Sequence, residues 1–226
     1  MSRLIIALDF PTLEEASSVA APLVDDVAGF KVGLELLMAE GPDAIGAIAG
    51  LGRPVFADAK LHDIPNTVRR AAGRLAAAGA RWVTVHAAGG ATMMEAANEG
   101  MGGEGVLAVT VLTSFEDHDL ETTGVPSGVE TQVVGLAALA RRSGVEGLVC
   151  APGDVAAIRA KGIALTIFTP GIRMIRDERH DQKRVGTPVE AVMAGADYLV
   201  IGRPVTRAAD PGAAAREIAA SLIQNA

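Results

Sequence analysis

Short hydrophobic runs alternate with longer amphipathic segments along the whole chain. The runs are five to seven residues long, end at turn-forming residues and are too short for a stable helix. The alanine-rich segments between them have the apolar spacing of helices. The pattern predicts strands at residues 3–9, 28–33, 54–60, 81–86, 106–112, 146–150, 163–168 and 197–201.

Four of the predicted helices end at a glycine that leads directly into a strand. These glycines are Gly79, Gly144, Gly162 and Gly195. Glycine is the residue that most readily adopts the left-handed conformation at a helix C-terminus. Each helix is therefore expected to stop at its glycine and to pass at once into the next strand.

The alternation predicts an α/β fold, a (β/α)8 TIM barrel in a single domain over residues 1–226. Near-continuous apolar strands are typical of a parallel sheet covered by helices, and eight such units close into a barrel. An open, doubly wound sheet is the alternative. The one match to G-x-G-x-x-G, at Gly100, Gly102 and Gly105, precedes a strand instead of following one, so it lacks the context of a dinucleotide-binding fingerprint.

Composition and charge narrow the range of partners. No apolar stretch is long enough to cross a bilayer, so no membrane span is expected. The chain has 20 Lys and Arg, 27 Asp and Glu and only seven aromatic residues, without a basic run, so nucleic acid is not an expected partner. Cys150 is the single cysteine, and the N-terminus lacks the pattern of a signal peptide, which predicts a cytoplasmic protein acting on a small polar substrate.

Charged and polar residues gather where the predicted strands end. In a barrel these ends and the loops after them form the active-site face. The residues at this face are Asp9, Lys31, Asp58, Lys60, Asp63, Thr113, Ser114, Arg173, Gly202 and Arg203.

The third strand carries the densest group of charges. Asp58 and Lys60 are two residues apart, so their side chains are expected on the same face of the strand, at the barrel mouth. Asp63 follows just past the strand, and Lys31 reaches the mouth from the adjacent strand. Opposite charges about 4 Å apart attract by roughly 4 kcal/mol at an effective dielectric constant near 20. The four residues therefore predict an alternating charge array that keeps a lysine ammonium positioned to deliver a proton.

The phosphate-binding end follows from the fold alone. Strands seven and eight of such barrels commonly supply a phosphate site. Gly202 allows the backbone to approach a ligand closely, and Arg203 adds a guanidinium that can bind two phosphate oxygens. The long polar segment 170–186, with Arg173 and Gln182, has the length of a lid.

The motif D-A-K-L-H-D-I-P-N-T at residues 58–67 closely resembles the signature Asp-x-Lys-x-x-Asp-Ile-Pro-x-Thr of the orotidine 5'-phosphate decarboxylase family, bacterial type. The resemblance extends over the barrel through the following segments: A-L-D at 7–9, F-K-V-G at 30–33, L-T-S at 112–114, T-P-G-I-R at 169–173, D-Q-K-R-V at 181–185 and I-G-R-P at 201–204.

The resemblance implies decarboxylation of orotidine 5'-monophosphate to uridine 5'-monophosphate with no cofactor and no metal. Lys60 would protonate C6 of the pyrimidine, with Asp58 against the departing carboxylate. Asp9 and Lys31 would contact the ribose, and Asp63 and Thr67 would reach the other subunit's site in a homodimer. The remaining substrate contacts implied are Ile64, Thr113 and Ser114 towards the pyrimidine side and Arg173, Gln182, Gly202 and Arg203 towards the phosphate.

Two alternative functions stay open. The magnesium-dependent 3-keto-gulonate 6-phosphate decarboxylases and hexulose-phosphate synthases share Asp-x-Lys-x-x-Asp on a similar strand, but the I-P-N-T continuation and the pair Gln182 and Arg203 favour the nucleotide substrate. The other alternative is a catalytically silent phosphate-binding barrel. Retention of every charged member of the array argues against it, because clustered charges are costly to keep without a use.

Overall fold

The computed structural model describes residues 2–103, 105–173 and 184–223. Its parallel strands form a closed barrel in which each strand pairs with its neighbours in chain order and β8 pairs with β1. The strands are β1 (Leu4–Leu8), β2 (Gly29–Val32), β3 (Val55–Leu61), β4 (Trp82–His86), β5 (Val106–Val109), β6 (Gly147–Val149), β7 (Thr166–Thr169) and β8 (Tyr198–Ile201). The TIM barrel expected from the sequence is confirmed.

Helices cover the outside of the barrel between successive strands. They are α1 (Leu13–Ala20), α2 (Leu34–Glu40), α3 (Asp43–Ala49), α4 (Pro65–Ala77), α5 (Ala91–Met101), α6 (Asp117–Thr122), α7 (Val129–Arg142), α8 (Val155–Ala160), α9 (Pro188–Met193), α10 (Arg203–Thr206) and α11 (Pro211–Ile223). Short 3-10 helices lie at Ala21–Leu23, Ala87–Gly89 and Pro152–Asp154. Gly79, Gly144, Gly162 and Gly195 all follow a helix end with φ between +66° and +108°, as expected of left-handed C-terminal caps.

Two strands, β5 and β7, lack residues that the sequence pattern assigns to them. Residues 110–112 lie outside β5: the Thr110 N–H still donates to Val149 of β6 at 3.1 Å, but the carbonyls of Val111 and Leu112 accept from the Arg184 guanidinium at 3.1 and 2.9 Å. Residues 163–165 lie outside β7, because the carbonyls of Ile163 and Leu165 accept from Arg159 at 2.9 and 2.8 Å. Arginine side chains thus take the place of neighbouring strands as partners for these backbone groups.

Two hydrophobic clusters form the core. The larger lies between the strands and the helices, and the smaller fills the barrel interior. Within the interior, the Phe168 ring stacks on Tyr198 at 4.7 Å and meets Trp82 and Phe56 edge-on at 5.1 and 5.6 Å. This packed aromatic layer closes the barrel below its C-terminal mouth.

No helix within the described residues is both long enough and apolar enough to cross a membrane.

Candidate active site

A cavity of about 750 Å³ opens at the C-terminal ends of the strands, above the aromatic layer. Its size lies in the range of small-molecule sites. Eight of the residues expected at the site line it: Asp9, Lys31, Asp58, Lys60, Thr113, Arg173, Gly202 and Arg203. Phe56, two residues before Asp58 on β3, forms part of its floor.

Alternating charges from three neighbouring strands meet on one wall of this cavity. The Nζ of Lys31 lies 2.9 Å from Asp9 Oδ1 and 3.5 Å from Asp58 Oδ2. The Nζ of Lys60 lies 2.7 Å from the same Oδ2 of Asp58. The Lys60 side chain is 29% exposed, whereas those of Lys31 and Asp58 are 10% and 11% exposed. Lys60 therefore presents the ammonium most open to a bound ligand.

The chain reaches this arrangement through an irregularity in β3. Ala57 pairs with Val83 and Leu61 with Val85, so residues 58–60 all stand opposite one residue of β4. Lys60 has φ +48°, the only positive φ of a non-glycine residue in the described part of the chain. Asp58 and Lys60 thus share the mouth through a bulge, and not through the regular alternation assumed from their spacing.

Burial and charge act in opposite directions on the two innermost groups. Burial alone would raise the pKa of Asp58, but the ammonium groups of Lys31 and Lys60 outweigh it, so the pKa lies below its ordinary value. Burial alone would lower the pKa of Lys31, but the carboxylates of Asp58 and Asp9 hold this pKa above its ordinary value. Both groups are therefore charged at neutral pH.

Gly33 leaves the space that the inner ion pair occupies. A Cβ at this position would overlap Asp9 Oδ1 and lie 2.7 Å from Lys31 Nζ. A side chain at Gly33 is therefore excluded by lack of space and not by backbone conformation, because any residue can adopt its φ of −84°.

The expected phosphate end lies after β7 and β8, next to the charge array around the barrel, since β8 pairs with β1. Gly202 directly follows β8, and Arg203 begins the short helix α10. Arg173 is held after β7 by its backbone N–H, which donates to Gly186 at 3.0 Å, and by its guanidinium, which donates to Ile172 at 2.8 Å. Gln182 lies outside the described residues.

Four expected site residues do not line this cavity in the described chain. Asp63, Ile64, Thr67 and Ser114 are all exposed. Asp63 accepts a hydrogen bond from the Ile64 N–H at 2.7 Å. Within one chain, therefore, Asp9 and not Asp63 is the outer carboxylate of the charge array.

The sequence analysis missed two residues that organise the site. Thr84 of β4 contacts both Asp58 and Lys60 through its hydroxyl. Arg184 contacts Asp154 at 2.6 Å and also donates to the carbonyls of the segment that leads into Thr113. A threonine inside a strand pattern gives no signal of such a role, whereas Arg184 stands within the D-Q-K-R-V segment already quoted for the resemblance.

The cysteine and a histidine near the mouth have pKa values shifted towards their neutral forms. Burial raises the pKa of the Cys150 thiol, which lines the cavity, so it stays protonated at neutral pH. Burial, together with the nearby His62 and Lys60, lowers the pKa of His86. Within residues 2–103, 105–173 and 184–223, no three His, Cys, Asp or Glu side chains are grouped to hold a metal ion.

Comparison with known proteins places this geometry in a family. The model of the Orotidine 5'-phosphate decarboxylase / HUMPS family matches residues 2–218. The chain belongs to this family. An orotidine 5'-phosphate decarboxylase of Anaeromyxobacter sp. (strain K) is 54% identical over 222 residues, covering 97% of this chain and 98% of the relative. That of Thermobifida fusca is 47% identical, covering 96% and 94%.

Solved structures agree with the family assignment. The crystal structure of orotidine 5'-phosphate decarboxylase from Lactobacillus acidophilus superposes with a TM-score of 0.86 at 34% identity, covering 98% of this chain and 99% of that chain. The chain is therefore an enzyme of this family, and the name its relatives carry is that of a carboxy-lyase.

Proposed function

We propose that the chain catalyses the cofactor-independent decarboxylation of orotidine 5'-monophosphate to uridine 5'-monophosphate and CO2, the last step of de novo pyrimidine nucleotide synthesis. The reaction would take place in the cytoplasm, within a single barrel domain over residues 1–226. The observation that carries the proposal is the Lys60 ammonium, paired at 2.7 Å with Asp58 and facing a cavity of nucleotide size. Family membership supports the same substrate.

The chemistry requires stabilisation of a carbanion. The bond between C6 and the carboxylate breaks, CO2 leaves, and the electron pair stays on C6 in the plane of the ring, where no π system delocalises it. The Lys60 ammonium attracts this charge as it develops and then donates a proton to C6, so the interaction is stronger in the transition state than in the ground state. Solvent afterwards returns a proton to the Lys60 amine.

The other charges of the array keep Lys60 in place and bind the sugar of the substrate. Asp58 lies between the two ammonium groups and would face the departing carboxylate. Lys31 and Asp9, paired at 2.9 Å, would bind the ribose hydroxyls. Thr113, with Ser114 and Ile64, would contact the pyrimidine side of the substrate.

The phosphate would bind between the loops after β7 and β8. Arg203 and the backbone at Gly202 line the cavity there, with Arg173 beside them. The part assigned to Gln182 follows the family resemblance alone. A guanidinium can bind two phosphate oxygens at once, which fixes the nucleotide as well as attracting it.

Arg203→Ala is expected to raise KM for the nucleotide much more than it lowers kcat. Loss of a charge-assisted contact worth about 1.5–3 kcal/mol lowers kcat/KM by roughly 10- to 150-fold. Steady-state kinetics should show most of this loss in KM. Orotidine, which lacks the phosphate, should react equally poorly with both proteins, and the exposed Arg142→Ala serves as the matched control. An equal loss of kcat/KM on orotidine would contradict the assignment.

We further propose that the chain works as a homodimer in which Asp63 and Thr67 complete the partner's site. Both residues are exposed and do not line the cavity of their own chain. Three exposed apolar side chains, on α2 and in the loop after β3, would suit such an interface: Leu34, Met38 and Ile64 are 44%, 74% and 67% exposed. Their burial between two copies would be favourable.

Mixing two inactive variants tests this arrangement. Asp63→Ala and Lys60→Ala homodimers should each be inactive. A hybrid dimer contains one site in which Lys60 and the partner's Asp63 are both intact, so a refolded equimolar mixture should recover up to about a quarter of wild-type activity. The control is a mixture of Lys60→Ala with Asp58→Ala, which lie in the same site. No recovery, or a monomeric mass by sedimentation, would contradict the proposal.

The function itself is tested with the purified protein, orotidine 5'-monophosphate and a chelator. We expect the substrate's ultraviolet band to disappear as uridine 5'-monophosphate forms. No turnover of the nucleotide, together with magnesium-dependent turnover of a keto-gulonate or hexulose phosphate, would favour the 3-keto-gulonate 6-phosphate decarboxylase and hexulose-phosphate synthase type. Binding of the nucleotide without any turnover would favour a silent phosphate-binding barrel.

A further inference from the structure

The hydroxyl of Thr84 joins two members of the charge array. Thr84 lies on β4 and is fully buried. Its Oγ1 accepts the backbone N–H of Lys60 at 2.9 Å and donates to Asp58 Oδ1 at 3.0 Å. A hydroxyl has a single proton, so the bond to the carboxylate uses the donor and leaves a lone pair for the N–H.

Thr84 is also the residue that faces the bulge of β3. Residues 58–60 stand opposite Thr84 alone, since Ala57 pairs with Val83 and Leu61 with Val85. The bulge turns the Lys60 N–H out of the regular ladder, and the Thr84 hydroxyl supplies the acceptor for this partly buried donor. A lysine at φ +48° is strained, and such strain persists only where neighbouring contacts hold it.

We infer that Thr84 is a positioning residue that keeps the Lys60 ammonium and the Asp58 carboxylate aligned towards the cavity. Its hydroxyl fixes the backbone from which Lys60 projects and one oxygen of Asp58, while the other oxygen pairs with Lys60 Nζ. Thr84 does not line the cavity, so it acts through these two residues and not on the substrate. The inference rests on the proposed function.

The groups around Asp58 determine how its contacts and its pKa should change when the Thr84 hydroxyl is removed. Asp58 is faced by Lys31 from β2, by Lys60 from its own strand and by Thr84 from β4, with His86 at the end of β4. Without the hydroxyl, both ammonium groups remain, but one carboxylate oxygen and the Lys60 N–H lose their partner. The hydrogen bond from Thr84 helps to lower the pKa of Asp58, so this pKa should rise when the bond is removed.

The test compares Thr84→Val, which keeps the volume but loses the hydroxyl, with Thr84→Ser, which loses a methyl group but keeps the hydroxyl. For Thr84→Val we expect kcat to fall by about 10- to 100-fold, since small misplacements of reacting groups cost this much. Its KM and its affinity for uridine 5'-monophosphate should stay within about threefold of wild type, and the acid limb of its pH profile should move to higher pH. Thr84→Ser should retain most of the wild-type kcat.

Thr110→Val is the matched control. Thr110 is another buried threonine, just after β5, and its hydroxyl donates to the Val149 carbonyl at 3.3 Å and not to a member of the array. We expect it to lose stability without losing kcat. If Thr84→Val does not fold, Thr84→Ala and Thr84→Ser give the same comparison, because both lose the methyl group and only the alanine variant loses the hydroxyl.

The outcomes separate this inference from the proposed function. Wild-type protein that leaves orotidine 5'-monophosphate unchanged would overturn the proposed function and with it the positioning role of Thr84. Active wild type with an equally active Thr84→Val, or with Thr84→Ser as impaired as Thr84→Val, would overturn the role of Thr84 alone.

Discussion

Lys60→Ala is expected to abolish turnover while nucleotide binding survives. Lys60 is assigned both the stabilisation of the carbanion and the delivery of its proton. Proton transfer by a placed side chain alone contributes up to about 10⁴-fold, so we expect kcat to fall by at least this factor. Asp58 keeps its contacts with Lys31 at 3.5 Å and Thr84 at 3.0 Å, so the site should remain assembled.

Calorimetric titration with uridine 5'-monophosphate, beside the ultraviolet assay, measures the two effects separately. Its affinity in Lys60→Ala should stay within about tenfold of wild type, because the product carries no charge at C6 for Lys60 to stabilise. Lys161→Ala removes an exposed lysine from the C-terminus of α8 and should behave as wild type. Residual turnover of Lys60→Ala within about tenfold of wild type would show that another group is the proton donor.

Asp58→Asn should produce the second large loss, for a different reason. Asp58 separates two ammonium groups, with Lys60 Nζ at 2.7 Å and Lys31 Nζ at 3.5 Å from its Oδ2. Without the negative charge, the two cations face each other. Repulsion of about 4 kcal/mol at 4 Å and an effective dielectric constant near 20 corresponds to roughly a 10³-fold loss of rate if it displaces Lys60 from C6.

The same substitution should destabilise the fold, because loss of one partner leaves buried charge uncompensated at a cost of about 3–5 kcal/mol. Denaturant unfolding measures this effect. The control is Asp197→Asn, which breaks an ion pair of 2.8 Å with Arg159 at the opposite end of the barrel and should lose stability without losing kcat. If Asp58→Asn retained the wild-type kcat, Asp58 would contribute to stability but not to turnover.

Asp58 should also contribute to the acid sensitivity of the fold. Its pKa is lower in the folded chain than in the unfolded chain. The stability that it contributes is therefore present above an ordinary aspartate pKa of about 4 and lost as the pH falls through the lowered folded value. Wild type should consequently lose more stability than Asp58→Asn over the same acid range.

The strand pattern is enough to predict the barrel because most strands are short apolar runs bounded by glycine or polar residues, and even β2 and β3 begin as such runs. The end of β5 and the start of β7 are not predictable, since the adjoining carbonyls bond to the side chains of Arg184 and Arg159. Hydrophobic periodicity carries no record of side-chain contacts to the backbone, whether they are local, as for Arg159, or long-range, as for Arg184.

The candidate site was predictable as a set of residues but not as a geometry. Lys31, Asp58 and Lys60 meet because strand ends of a parallel barrel converge. The bulge that gives Lys60 its φ of +48°, and the Thr84 hydroxyl opposite it, arise from the pairing of β3 with β4, which local sequence does not encode. Asp63 was expected in the array because it is near Lys60 in sequence, but the chain turns away after β3 and leaves it exposed.

A crystal structure with uridine 5'-monophosphate bound tests the central claim most directly, since the claim concerns where one ammonium lies relative to one carbon atom. We expect the phosphate beside Arg203 and Lys60 Nζ within about 3.5 Å of C6, still paired with Asp58. A nucleotide bound with C6 away from Lys60, or a Lys60 side chain turned out of the cavity, would contradict the account.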